Sequence, residues 1–255
     1  MISLLLLSLI SCTEDKHATL LPDGRTATDT FLISPIYGDS VLFAVNSMST
    51  DKTEVKGILG QFHTSSKKVR ETYFQRFVEK KGRFRRIHVV GTTLEHLKTA
   101  KNDTAYSTQF DQYVEFDELG IFNGELVDPI SLIPLYPGRP MRIKEAWYPK
   151  VPVKIAMGTG VANFRFMIDS VYQNNGHVFA RVNVAFQGKL APVPSLHGAK
   201  VTINGDGWFN WNCTINQRRD THLSAIYRAI KGNNEVKQSV GLTDSLIVYK
   251  EQLKF

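Results

Sequence analysis

The chain has 255 residues, with 31 Lys+Arg against 24 Asp+Glu for a net charge of +7, and is 42% hydrophobic and 22% charged. These proportions exclude wholesale disorder, because there is enough apolar surface to close a core. The length fits one or two domains, and no apolar run reaches the roughly 18 residues that a membrane-spanning helix needs.

Residues 2–10 read Ile-Ser-Leu-Leu-Leu-Leu-Ser-Leu-Ile, and Ser11, Cys12 and the polar Thr13-Glu14-Asp15-Lys16 follow. Such a run is too short to span a bilayer and matches the apolar core of a secretory signal. The competing reading, a buried first strand, is poorly patterned because nothing alternates. Leu9-Ile10-Ser11-Cys12 resembles the lipobox of bacterial prolipoproteins, although the usual Lys/Arg ahead of the apolar stretch is missing. The resemblance implies a signal peptide over 1–11, a lipid on Cys12, and a tether over 12–28. It also implies a lipid-anchored protein of the bacterial envelope, at the periplasmic or surface-exposed face of the outer membrane. Glu14-Asp15 resembles the export signal of surface-exposed lipoproteins in the Bacteroidetes. One acyl chain anchors only marginally, whereas several hold firmly. With Cys12 acylated, Cys213 is the only remaining cysteine; no internal disulfide can form, and Cys213 reads as a buried strand thiol.

Strands dominate the rest, residues 29–255. Segments 41–45 and 54–62 come first, then 69–78 and 84–90 flank Lys80-Lys81-Gly82 as a hairpin. Thr92–Thr99 suggests a short helical turn, and Phe110, Tyr113 and Phe116 lie on an alternating strand. Six of the ten prolines fall within 128–152, which excludes a central strand and predicts a connector packed by Trp147 and Tyr148. Over 162–187 the alternation predicts a hairpin with a three-residue loop, Asn174 to Gly176, pairing 172 with 178, 168 with 182 and 164 with 186. A further hairpin is predicted around Gly205-Asp206-Gly207. Segment 220–232 fits a helix by its period and a strand by its neighbours, and 245–253 reads as a last strand. The halves 29–127 and 153–255 have similar layouts, consistent with a duplicated pair or one β-rich domain. The fold class is mainly β: an antiparallel β-barrel or half-barrel/sandwich with few short helices. The mature region also resembles secreted β-rich lipoproteins of unknown function, which carry a Gly-Asp-x-Trp turn after a proline-rich segment. Here Ile143-Lys144-Glu145-Ala146-Trp147 has Lys144 where that turn has glycine.

The sharpest charge feature is 67–86, which carries a net charge equal to that of the whole chain. Lys67, Lys68, Arg76, Lys80, Lys81, Arg83, Arg85 and Arg86 are its candidate anionic-partner surface. Interleaved aromatics give it a nucleic-acid-like composition, but an export signal argues against that partner. Lipid phosphates, anionic glycans or an envelope protein fit better, and a solvated hairpin with a charged edge explains the same residues. No zinc-protease, paired-cysteine, nucleophile-elbow or P-loop motif is present, and the seven histidines pair at no ligand spacing. Asp111, Glu115, Asp117 and Glu118 read as solvated charges rather than a glycosidase pair. Trp208, Phe209 and Trp211 read as core. The sequence therefore predicts a non-enzymatic envelope binding module without cofactor, for an apolar, amphipathic or anionic ligand. Alternatives are an accessory subunit docking through hairpin 67–86, or a hydrolase built on opposed carboxylates.

Overall fold

Alternating burial runs along nearly every segment: in one strand Ala162, Phe164, Phe166 and Ile168 are buried while Asn163 and Arg165 between them are exposed. In a computed structural model this pattern builds eleven strands; the structure describes residues 30–33, 42–57, 62–123, 126–132, 135–214 and 217–249. Cys12, the signal peptide and tether, and the last residues of segment 245–253 lie outside the described residues. The strands are β1 (Leu42–Lys56), β2 (Phe62–Lys81), β3 (Phe84–Lys98), β4 (Asp103–Asp117), β5 (Ala146–Trp147), β6 (Lys150–Ile155), β7 (Gly158–Asn174), β8 (His177–Pro192), β9 (Lys200–Asn212), β10 (Gln217–Lys231) and β11 (Asn234–Tyr249). The described helical structure consists of two short 3-10 turns, Pro129–Leu132 and Pro194–Leu196.

The strands form one antiparallel sheet in the order β4-β3-β2-β1-β11-β10-β9-β8-β7, with β5 and β6 paired along the outer edge of β7. It does not close into a barrel; it is an open sheet of the half-barrel type. β1–β4 and β7–β11 are each a meander, and β1 pairs with β11 along its whole length to fuse them. Pro152 sits in the edge strand β6, where a missing N–H is tolerated.

Several local expectations are corrected. In the β7–β8 hairpin, Ile168 pairs with Val182 and Phe164 with Phe186, as the alternation predicts, but Tyr172 pairs with Phe179. The loop has two residues, Asn175 (φ 48°) and Gly176 (φ 76°), both in the left-handed region that a type I′ turn requires. The extra residue that restores the face is a bulge at Asp169, between Ile168 and Ser170. Gly205-Asp206-Gly207 is not a turn but lies inside β9. A Cβ on Gly205 would sit 2.2 Å from the Phe186 ring, and one on Gly207 would sit 2.1 Å from the His222 carbonyl. Close approach, not reversal, explains these glycines. Thr92–Thr99 is not helical: β3 runs through it to Lys98. Segment 220–232 is strand β10 followed by a turn at Gly232 (φ 58°).

The core lies on one face of β7–β10, where Phe164, Phe166, Phe209, Trp211, Ile203 and Tyr227 are almost completely buried. The proline-rich connector covers it. Trp147 stacks on Phe166 at 5.1 Å between ring centroids and donates its indole N–H to the Leu135 carbonyl at 3.0 Å. Tyr148, its neighbour, is instead 65% exposed. Phe31 bridges Met141 through two backbone hydrogen bonds of 2.7 and 2.9 Å. Truncating one such buried aromatic costs about 3–5 kcal/mol. Under β3 and β4 a satellite cluster of Ile87, Val89 and Phe116 packs with Tyr73, Phe110 and Val114.

Candidate functional site

The opposite face of the sheet is largely polar but also carries the exposed Val161, Phe74, Val90, Leu94, Ile226 and Ile230, and the register places its side chains in rows that cross the strands. One row runs Asn163, Gln187, Asn204 and Ile226 over β7–β10. It continues through Ser239, Lys52, Ser66 and Lys98 over β11, β1, β2 and β3. The adjacent row runs Arg165, Ala185, Asp206 and Ser224, then Gly241, Thr50, Lys68 and His96. Cross-strand partners share a face because side chains alternate with period two.

Two cavities follow these rows. The first, about 540 Å³, has Tyr148, Asn163, Arg165, Gln187, Asn204 and Asp206 in its lining. The second, about 610 Å³, has Lys52, Lys68, His96 and Lys98. Ser224, Ala225 and Ile226 of β10 line both, so they are two ends of one groove. Lys98 on β3 and Ser224 on β10, four strand intervals apart, line the same cavity, so the sheet curls toward this face, which is the concave one. Serine, glycine and threonine form the middle of the floor; a Cβ on Gly241 would meet Thr50 Oγ1 at 2.8 Å. Further along the same face, Arg70, His222, Met48 and Thr243 line a third cavity of about 480 Å³. Trp208, read from the sequence as core, stands instead on this face, its ring 4.2 Å from the His222 ring and 3.7 Å from the Arg181 guanidinium.

The cations of the groove differ in availability. Lys52 pairs with Glu54 at 2.7 Å and His96 with Asp103 at 2.5 Å. The Lys52 ammonium, followed by Lys237, holds the Glu54 carboxyl below its ordinary range. Lys68 and Lys98 are exposed and have no ion pair among the described residues. Asp206 brings a carboxylate to the amide-lined end.

The basic stretch read from the sequence is divided by strand alternation. Lys68 and Arg76 point to the concave face, whereas Lys67 points to the other, its Nζ 2.5 Å from Glu95. Arg86 pairs with Glu79 at 3.2 Å and lies 4.3 Å above the Tyr113 ring. Arg85 lies on the opposite face from Arg86 and is half-buried. Lys80, Lys81 and Arg83 are exposed around the hairpin tip. A bulge between Phe77 and Glu79 shifts the register just before that tip. The sequence reading missed Lys52, Lys98, Asn163, Arg165, Gln187, Asn204 and Asp206. Their exposed positions were legible from alternation, but their convergence depends on cross-strand register.

The carboxylates near β4 do not face one another across a cleft. Asp111 bonds His88 at 2.6 Å, Glu115 accepts from Asn123 at 2.8 Å, and Asp117 accepts from the Leu119 and Ile121 amides at 2.9 Å each. On the convex face the Tyr227 hydroxyl donates to Asp128 at 2.5 Å, and Asp128 also accepts from the Ile130 amide at 3.0 Å. Burial pushes Asp128 above the ordinary carboxylate range and, with the Asp128 charge, pushes Tyr227 upward. Cys213 is buried, its Sγ 3.8 Å from the Trp211 carbonyl. Among the described residues no group of three or more His, Cys, Asp or Glu is arranged to hold a metal, and no helix is long and apolar enough to cross a membrane.

Open antiparallel sheet, apolar convex face and polar concave groove define the class of structure. No family model matches the sequence, and no curated protein matches it. Among solved structures the chain is similar to an outer membrane channel from Pseudomonas putida F1, at 9% identity and a TM-score of 0.32, over 85% of this chain and 98% of that one. A likeness of that size carries no argument about fold or function.

Proposed function

We propose that this protein is a non-enzymatic binding module of the bacterial envelope, held by a lipid on Cys12, that takes an extended anionic ligand into the groove of its concave face. The observation that carries the reading is the groove itself: two joined cavities, with the unpaired Lys68 and Lys98 at one end. Asp206 lies at the amide end, so the positive field that would concentrate an anionic ligand comes from the lysine end alone. The apolar face is filled by its own aromatic rings and the connector, which favours an anionic ligand over an apolar one. The lipobox-like Leu9-Ile10-Ser11-Cys12 supports the envelope setting.

The test of the groove is titration of the full chain with dextran sulfate, a generic polyanion. The double variant Lys68→Gln/Lys98→Gln should weaken binding at least tenfold, while Lys80→Gln/Lys81→Gln at the hairpin tip should not. Equal binding by the groove variant and the parent overturns the reading. Cys12→Ala should abolish incorporation of labelled palmitate and release the protein from membranes; unchanged fractionation sinks the anchor. A second reading, docking to an envelope protein, is favoured by exposed Lys80, Lys81 and Arg83 at the end of a long hairpin. In that case Arg83→Glu with Arg86→Glu should release a stoichiometric partner in membrane pull-downs.

A further inference from the structure

We infer that the ligand is an acidic polysaccharide lying across the strands, its sugar hydroxyls read by amides on β7–β9 and its carboxylates by lysines on β2 and β3. This deepens the groove reading and rests on it.

Length comes first. From Asn163 on β7 to Lys98 on β3 the row crosses seven strand intervals, which at about 4.8 Å each is about 34 Å of arc. That exceeds a single small metabolite and suits a polymer. The pattern along the row is the second argument. Asn163, Gln187 and Asn204 stand on three successive strands and present amide donors and acceptors at a spacing of about 5 Å, with Asn163 Nδ2 also reaching the Gln187 backbone carbonyl at 3.5 Å. Repeated amides, with Asp206 beside them, match repeated hydroxyls. Tyr148, 65% exposed at the same end, offers a ring face to the C–H side of a sugar. Small residues on the floor (Ser224, Ser239, Gly241 and Thr50) let a puckered ring approach the backbone closely.

The remaining features separate a glycan from other polyanions. Lys68 and Lys98, the unpaired cations, stand on adjacent strands in neighbouring rows, a sparse set suited to intermittent carboxylates. Tyr148 offers a single ring to the groove, whereas single-stranded nucleic acid stacks its bases on a succession of aromatic platforms. Ile226 is the one large apolar side chain in the two rows; the exposed Leu94, Val90 and Phe74 lie beyond them on the same face.

The experiment compares four probes on the full chain by calorimetry: oligogalacturonate, neutral dextran, polyphosphate, and vesicles containing anionic lipid. Oligogalacturonate should bind tightest. Asn163→Ala/Asn204→Ala should weaken it about tenfold without changing the salt dependence, whereas Lys68→Gln/Lys98→Gln should weaken it and flatten that dependence. Circular dichroism of each variant checks the fold. If polyphosphate or vesicles bind as tightly, and the asparagine variant binds like the parent while the lysine variant does not, the glycan assignment falls and the anionic groove stands. If the lysine variant binds every probe like the parent, the groove reading itself falls.

Discussion

The Lys144 ammonium donates to Asp169 at 2.6 Å, and the Lys144 amide bonds the Ile168 carbonyl at 2.7 Å, so a residue with φ of 66° clasps the bulge in β7. Lysine occupies the backbone conformation in which glycine is the unstrained choice. Its side chain is 65% exposed, so the ion pair contributes about 0–1 kcal/mol, while the left-handed φ costs about 1 kcal/mol. Lys144→Ala should therefore be less stable than Lys144→Gly by about 1 kcal/mol. Urea midpoints check the order; an alanine variant at least as stable as the glycine one contradicts it.

Tyr227 is fully buried and supplies one of the two hydrogen bonds received by Asp128. Tyr227→Phe removes that donor and should cost about 1–3 kcal/mol, read by denaturant unfolding near neutral pH. A loss below a few tenths would mean that Asp128 finds another donor.

The same aspartate gives a pH signature. Burial raises its folded value above the unfolded one, despite the hydrogen bonds that lower it. A raised carboxyl contributes stability that is full below the unfolded value and is lost as pH rises through the folded one. The stability of the parent relative to Asp128→Asn should therefore decline from acidic pH toward neutrality. A constant difference across that window removes the premise that Asp128 is strained by burial.

Alkaline behaviour depends partly on Tyr73, whose hydroxyl is pushed by burial from 10.0 to about 12. The unfolded chain then releases this proton before the folded one does, so the contribution is present below pH 10 and disappears toward pH 12. Tyr73→Phe should flatten part of the alkaline loss of stability. Unfolding series at pH 9, 10 and 11 would show parallel curves if Tyr73 were solvated.

Gly205→Ala should cost about 1–3 kcal/mol through overpacking, because the new methyl would lie 2.2 Å from the Phe186 ring and 2.8 Å from the Ser224 carbonyl. Thermal unfolding measures it. A neutral outcome would require the Phe186 ring to move away freely, although it packs within a cluster including Phe164 at 5.2 Å.

Much of the sheet is legible in local alternation, and the misses have physical causes. Residues 162–186 reveal their apolar face, yet the extra residue hides at Asp169 rather than in the turn, because a bulge and a longer loop restore the face equally well. Gly205-Asp206-Gly207 has turn composition, and only the Phe186 ring and the β10 backbone reveal why glycine is needed inside a strand. Leu223, Ile226, Tyr227 and Ile230 mimic a helical period because Leu223 and Tyr227 enter the core while Ile226 and Ile230 point to the concave side. The groove was less legible than the core. Its lysines and amides lie far apart in sequence, and the compact basic run 67–86 drew attention to cations that alternation sends to opposite faces.

Gln238 and Asp51 hydrogen-bond at 2.6 Å although 187 residues separate them, and this contact belongs to the zipper between β11 and β1. Each meander can assemble from neighbours, but that zipper must await an encounter between distant stretches, the slow kind of step in β folding. The amides of the groove come from one meander and its free lysines from the other. A polymer spanning both acts as a suture across the join, so receptor competence and completion of the sheet rise and fall as a single equilibrium.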